Sequence, residues 1–174
     1  MTQFEIQRMI DTNTLILSRW QIFWHYSIIP FLLIAPAMTT VDVFKYYVTH
    51  TYNSTNPIDF EFGYMWLLLA VIFFFIQRHK LRFKIINVSI NNDTFHHTVK
   101  QTAKELEWDI TQMTNSFVIA KSSFSWRSWG EQITIIHDKD KILFNSICDP
   151  DNRPSVASFG MNKINRKTFE KFLH

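Results

Sequence analysis

At 174 residues the chain has room for one modest domain and a further element. Three glycines argue against Gly-rich phosphate loops, a single cysteine rules out an intrachain disulfide, and a net charge of +3 without a concentrated basic face argues against nucleic acid as a partner. The hydrophobic fraction of 47% is ordinary, but 17 Phe and 6 Trp are many for this length, and much of the apolar content precedes residue 77.

In chain order, residues 1–20 place Phe4, Met9, Ile10, Leu17 and Trp20 on a rough helical face. This predicts an amphipathic leader on a cytoplasmic membrane surface, and a loosely ordered leader fits the same residues. Ile22–Val41 then runs for twenty residues without Asp, Glu, Lys or Arg, which is ~30 Å of helix and one hydrocarbon thickness. Trp20, Trp24 and Tyr26 stand at its start as interface anchors. Pro30 and Pro36 predict a bend whose freed carbonyls need neighbours. Ala35-Pro36-Ala37 resembles a small-x-small cleavage site. The region before it is long and carries Glu5 and Asp11, so the segment reads as a retained anchor.

Phe62–Ile76 is the second apolar stretch. Its ~22 Å is short for a span, and extension through Ile58–Glu61 and Gln77–Arg78 completes it, with the arginine reaching the headgroups. A buried soluble hairpin is the plainer alternative. The two predicted spans are therefore about 22–41 and 58–77, within a hairpin of 21–82 and with an outer loop of 42–57. Basic residues set the orientation. Arg78, Lys80, Arg82 and Lys84 follow the second span and Arg8 and Arg19 precede the first. The segment between carries Lys45 against Asp42, Asp59 and Glu61. Both termini are thus expected in the cytoplasm, in a bacterial inner membrane. Asn53-Ser54-Thr55 matches a glycosylation sequon on the outer loop, a common pattern with no weight of its own.

Residues 83–174 change period. Phe83, Ile85, Val88 and Ile90 suggest a strand with a break, and Asp93 or Thr94 can cap a helix carrying Phe95, Val99, Ala103 and Leu106. Strands follow from Trp108, at Phe117–Ser122, Glu131–His137 and Ile142–Cys148. The hairpin at Asp138–Lys141 lacks Gly, which predicts a longer or type I loop over a tight primed turn. A last helix from Lys163 or Asn165 to Leu173 would bury Ile164, Phe169, Phe172 and Leu173. The predicted class is α+β: a two-helix transmembrane hairpin followed by a small cytoplasmic domain with a mostly antiparallel sheet and two helices on one face.

No chemistry-bearing motif emerges. His25 is the polar residue inside the first span. Haem ligation would need a second ligand at its depth, the second stretch has no His, and His79 is only a distant mate, so no cofactor is expected. His96 and His97 are adjacent and make no helical chelate, and no metal site is expected. Asp149-Pro150-Asp151-Asn152 fails the calcium-loop pattern at Arg153 and Pro154 and reads as a proline-braced turn. Cys148 with His137, on neighbouring strands, is the least poor catalytic pair, and no catalytic residue is assigned.

The unusual segment is Ser123–Gly130, whose Phe124, Trp126, Arg127 and Trp129 suit a core, a protein contact or a bilayer contact. Arg153, Arg166, Lys167 and Lys171 offer a basic patch toward an anionic leaflet, with a solvated face as the plainer reading. The expected function is a non-enzymatic membrane accessory or scaffold protein. Its cytoplasmic domain would dock onto a membrane or cytoplasmic protein, a second copy included, through Phe124, Trp126, Arg127, Trp129 and Arg153. The alternative is a membrane-tethered sensor or a module binding phospholipid or a small ligand.

Overall fold

The computed structural model describes residues 1–51, 60–123, 130–151 and 160–173. Its centre is a five-stranded antiparallel sheet of β1 (Lys84–Asn87), β2 (Trp108–Met113), β3 (Phe117–Ser122), β4 (Glu131–Asp138) and β5 (Lys141–Cys148), in the order β1-β5-β4-β3-β2. The last four form a meander. The first is separated from them by α6 (Asn92–Glu105), which carries the chain from one sheet edge to the other, so that β1 pairs β5 through Lys84↔Phe144. The expected α+β order of strand, helix, four strands and helix is observed, the last helix being α7 (Met161–Lys171). The cap of α6 is Asn91, whose Oδ1 accepts from the Thr94 amide at 2.7 Å, ahead of the expected Asp93 or Thr94. The β4–β5 turn is tighter than expected. Asp138 pairs Lys141, and the two loop residues are Lys139, at φ 44°, and Asp140. An Asp138–Lys141 ion pair of 3.4 Å closes the base and offsets the strain of a left-handed lysine.

One sheet face packs Phe95, Val99 and Ala103 of α6 and Phe169 of α7 on Val118, Ala120, Ile133, Ile135, Ile142 and Phe144. Fully burying a Phe such as Phe95, Phe144 or Phe169 contributes ~1.5–3 kcal/mol. In α7 the buried positions are Asn165 and Phe169, whereas Ile164 of the expected stripe is 42% exposed. The other sheet face is also covered. α1 (Gln3–Thr12) buries Ile6 and Met9 there, with Leu15 and Leu17, against Phe117, Ile136, Leu143 and Ile147. The leader is therefore a layer of the sheet domain, while Phe4 and Trp20, expected on its apolar face, are 75% and 59% exposed. A Thr2–Glu5 capping box starts α1, and Asn13 in the left-handed region (φ 50°) ends it.

The apolar stretches form helices that pack on one another. α5 (Phe60–Lys80) is continuous. The first stretch is broken into α2 (Arg19–Tyr26), α3 (Ile28–Leu32) and α4 (Ile34–Phe44), continued by a π-helical turn, Lys45–Thr49. Its breaks at Ser27 and Leu33 each lie three residues before a proline, where the ring obstructs the preceding turn. Side chains bond back to the backbone near both breaks: the Ser27 hydroxyl donates to Trp24 O and that of Thr40 to Pro36 O. By length and composition one helix, Glu61–Lys80, is able to cross a membrane, or two if Arg19–Leu32 and Ile34–Thr49, bent by 41°, count as one. The two apolar stretches expected to form spans are thus one continuous helix and one broken one, and the count of candidate spans is one or two.

Two covalent passages join helices and sheet, and they bond to each other. Leu15 N donates to Leu81 O at 2.8 Å and Phe83 N to Asn13 O at 3.2 Å, around a Thr14↔Arg82 bridge. Residues 13–15 and 81–83 are thus a two-strand knot that ties the end of α5 to the segment between α1 and α2.

Candidate functional site

The knot and the end of α5 build the most distinctive cleft. Residues 81–84 alternate: Leu81 and Phe83 are buried while Arg82 and Lys84 point outward. His79 and Lys80 supply the preceding helical turn. Opposite them stand Phe144, Asn145 and Ser146 of β5 and Asn162, Lys163 and Arg166 of α7. Together they enclose about 300 Å³. An adjoining hollow of about 630 Å³ shares His79, Lys80 and Arg82 and is walled by Phe75, Ile76 and Arg78 on the outside of α5. Neither hollow has an acidic lining residue.

The side-chain protons of Asn145 and Ser146 are engaged. Asn145 Nδ2 donates to Lys80 O at 2.9 Å and Arg82 O at 3.1 Å, closing the C-terminus of α5 onto β5. The Ser146 hydroxyl donates to Glu131, which is fully buried behind it. Asn165 Nδ2 donates to Glu131 Oε2 at 2.8 Å and to Ser146 Oγ at 3.0 Å, and the Trp108 indole donates to Asn165 Oδ1 at 3.4 Å. Glu131 also attracts Lys80. Among the described residues, His79, Arg82, Lys84 and Lys163 have no ion-pair partner, and Arg166 reaches Glu170 at 3.6 Å. The first turn of α7 holds no acidic side chain and its cap, Gly160 (φ 85°), provides no side-chain hydrogen bond, so the positive end of this helix lies at the cleft mouth. The arrangement attracts an anion chiefly through its cations.

A second junction lies at the far end of β3 and β5. Lys121 Nζ is 2.9 Å from both Asp149 and Asp151, and Gln21 of α2 donates to Asp151 at 2.8 Å while its Oε1 accepts from Ser18 N. Burial works against the Lys121 charge, but its hydrogen bonds to Asp151 and Asp149 prevail and raise its pKa. Burial likewise opposes the Asp151 carboxylate, and hydrogen bonds from Lys121 and Gln21 prevail and lower its pKa. The acidic turn is a clasp between sheet and α2.

His25 is fully buried between α2 and α5, with Nε2 3.0 Å from Gln77 O, and its Nδ1 has no hydrogen-bond partner. His96 Nε2 lies 3.2 Å from Thr114 O. His137 stacks on Phe95 at 4.8 Å and bonds Ile90 O, and it pairs Ile142 while Cys148 pairs Glu131, which places His137 and Cys148 at opposite ends of the hairpin. Among the described residues no cluster of His, Cys, Asp or Glu is suited to a metal. Phe124, Trp126, Arg127, Trp129 and Arg153 lie outside the described residues. Of the expected basic patch, Arg166 lines the cleft and Lys171 pairs Glu105 at 3.6 Å. The cleft joins that patch to the basic run after α5. The sequence signal for it was Lys163 and Arg166 on one helical face, but the β1–β5 pairing that brings them to Arg82 and Lys84 is non-local. No protein family, curated protein or solved structure matches this chain.

Proposed function

We propose that the chain is a non-enzymatic integral membrane protein. Its helical pair crosses a bilayer with both termini in the cytoplasm, and its sheet domain is a membrane-tethered binding module for a lipid or small ligand. The observation that carries this reading is the inverted packing of the helices. The seam of α5 is Gly63, Trp66, Ala70, Phe73 and Gln77, facing Leu32, Ala35, Pro36 and Thr39 of the broken helix. A Cβ on Gly63 would overlap the Thr39 side chain. Gly63, Ala70, Gln77, Ala35, Pro36 and Thr39 make most of this seam small or polar, while many large apolar residues lie outside it, and that distribution suits helices in lipid. Phe31, Met38, Leu68 and Phe75 are 61–66% exposed, and leaving such surface in water forgoes ~25 cal/mol per Å².

Aromatic groups mark both ends of the pair. Trp20 stacks on Phe23 at 5.7 Å near the basic end, and Tyr46 meets Tyr47 at 4.8 Å at the other. The basic residues of the cleft then lie at the cytoplasmic headgroups. Between the two expected functions, the cleft favours lipid or ligand binding, since it gathers Arg82, Lys84, Lys163 and Arg166 around a hollow with no acidic lining residue among the described ones. Alkaline carbonate washing of membranes tests the reading. The protein is expected in the pellet, with tags at both termini shielded from external protease in intact cells. Release into the supernatant, or a digested terminal tag, would overturn it.

A further inference from the structure

We infer that the cleft binds the phosphate of an anionic phospholipid from the cytoplasmic leaflet, with an acyl chain against Phe75 and Ile76; this rests on the membrane reading above. His79, Arg82, Lys84 and Lys163 come from the end of α5, the knot, β1 and α7, and among the described residues none has an acidic partner. Arg82, Lys84 and Lys163, gathered around about 300 Å³, repel one another, and a bound anion relieves that repulsion. Among the described residues no acidic side chain lines the cleft to balance these cations.

The neutral groups decide the chemistry. Asn145 donates to Lys80 and Arg82 carbonyls, and the Ser146 proton is committed to Glu131. With those protons committed, recognition rests chiefly on the charges of Arg82, Lys84 and Lys163, with the Asn162 amide as a further donor in the lining, and this set suits a phosphate. The adjoining hollow decides the source. Phe75 and Ile76 are 61% and 44% exposed on its outer wall, directly below Arg78, His79 and Arg82. An amphiphile fills both hollows, whereas a free phosphate leaves the apolar one empty. Basic pockets at the cytoplasmic ends of membrane helices hold lipid headgroups by the same physics.

The test uses full-length protein in phosphatidylcholine nanodiscs with and without phosphatidylglycerol, with retained lipid read by native mass spectrometry. Wild type is expected to retain phosphatidylglycerol preferentially. Arg82→Gln with Lys163→Gln is expected to weaken retention on the order of thirty-fold, from ~1 kcal/mol per basic group. Lys100→Gln with Lys104→Gln on α6 removes the same charge and is expected to leave retention near wild type. If the first pair fails to fold, Lys84→Gln with Lys163→Gln replaces it. Equal loss from cleft and α6 pairs, or inserted protein with no preference for phosphatidylglycerol, overturns the inference and spares the membrane reading. Displacement of the lipid by added inorganic phosphate overturns the lipid source. Protein that never enters the nanodisc overturns the membrane reading itself.

Discussion

The helical pair and the sheet domain use apolar side chains in opposite directions. In the sheet domain large residues face inward: Phe95, Phe144 and Phe169 are at most 1% exposed, and the polar groups that follow them inside, Glu131, Ser146 and Asn165, bond one another. In the helical pair the interior is Gly63, Ala70, His25 and Gln77, and the large residues face outward. Among the described residues, every exposed large hydrophobic except Met1, Phe4, Ile85 and Ile164 lies between Trp20 and Ile76. The membrane reading proposed above accounts for this inversion as a change of solvent at the basic knot of residues 78–84.

Matched lysine substitutions break or sharpen this contrast most directly. Leu68 on α5 and Ile164 on α7 are both exposed, at 61% and 42%. Leu68→Lys is expected to cost ~3 kcal/mol, since a lysine near the centre of a span loses its hydration. Ile164→Lys, at a water-facing position, is expected to stay within about 0.5 kcal/mol. Membrane-insertion efficiency for the first and thermal unfolding for the second measure the two effects. Equal, small effects would mean that the outer face of α5 meets water or protein, and the contrast would dissolve.

The glycines sharpen the same contrast at smaller cost. Gly63 permits close approach, because a side chain there meets Thr39. Gly160 permits a backbone angle, φ 85°, with no neighbour within 4 Å of an added Cβ. Gly63→Leu is expected to cost ~1–3 kcal/mol by overpacking, and Thr39→Ala should return part of it. Gly160→Ala is expected to cost ~1 kcal/mol regardless of any change in its neighbours. Melting temperatures in detergent distinguish the cases. No recovery on adding Thr39→Ala would count against the close helix contact.

What was legible in the sequence divides along the same line. Alternation at Glu131–His137 and the helical spacing of Phe95, Val99 and Ala103 are local, and they placed the strands and α6 nearly where they lie. The second layer was missed, although β5 signalled it. Ile142 and Phe144 lie at one parity and Leu143 and Ile147 at the other, a pattern that requires both sheet faces to be covered. The predicted leader face joins Phe4 and Trp20 to Met9, Ile10 and Leu17, whereas the sheet takes Ile6, Met9, Leu15 and Leu17 and leaves Phe4 and Trp20 exposed. The cleft was half legible. The run after α5 was read for orientation and the α7 cations as a patch, but their meeting depends on pairing β1 with the most distant strand in sequence.

The smallest expected effect lies where the two regions clasp. Lys121 joins Asp149 and Asp151, and Gln21 carries the contact to α2. Asp149 is 7% exposed but Asp151 is 43% exposed and Lys121 31%, so solvent screens half of the arrangement. Lys121→Met is expected to cost ~1 kcal/mol or less, a shift of ~2–4 °C in melting temperature. Its pH dependence follows from the shifted groups. Asp151 titrates below its ordinary 3.8, so its contribution is complete above 3.8 and lost as pH falls through the lower folded value. Lys121 titrates above its ordinary 10.5, so its contribution is complete below 10.5 and lost as pH rises through the higher folded value. The difference between wild type and Lys121→Met should therefore be flat between these limits and shrink outside them. Gln21→Ala should reproduce part of the loss near neutrality without unfolding the sheet, because its amide reaches only the outer carboxylate. A difference that stays constant well below pH 3.8 would show that Lys121 contributes through packing of its stem, and that charge does not hold the helices to the sheet at this corner.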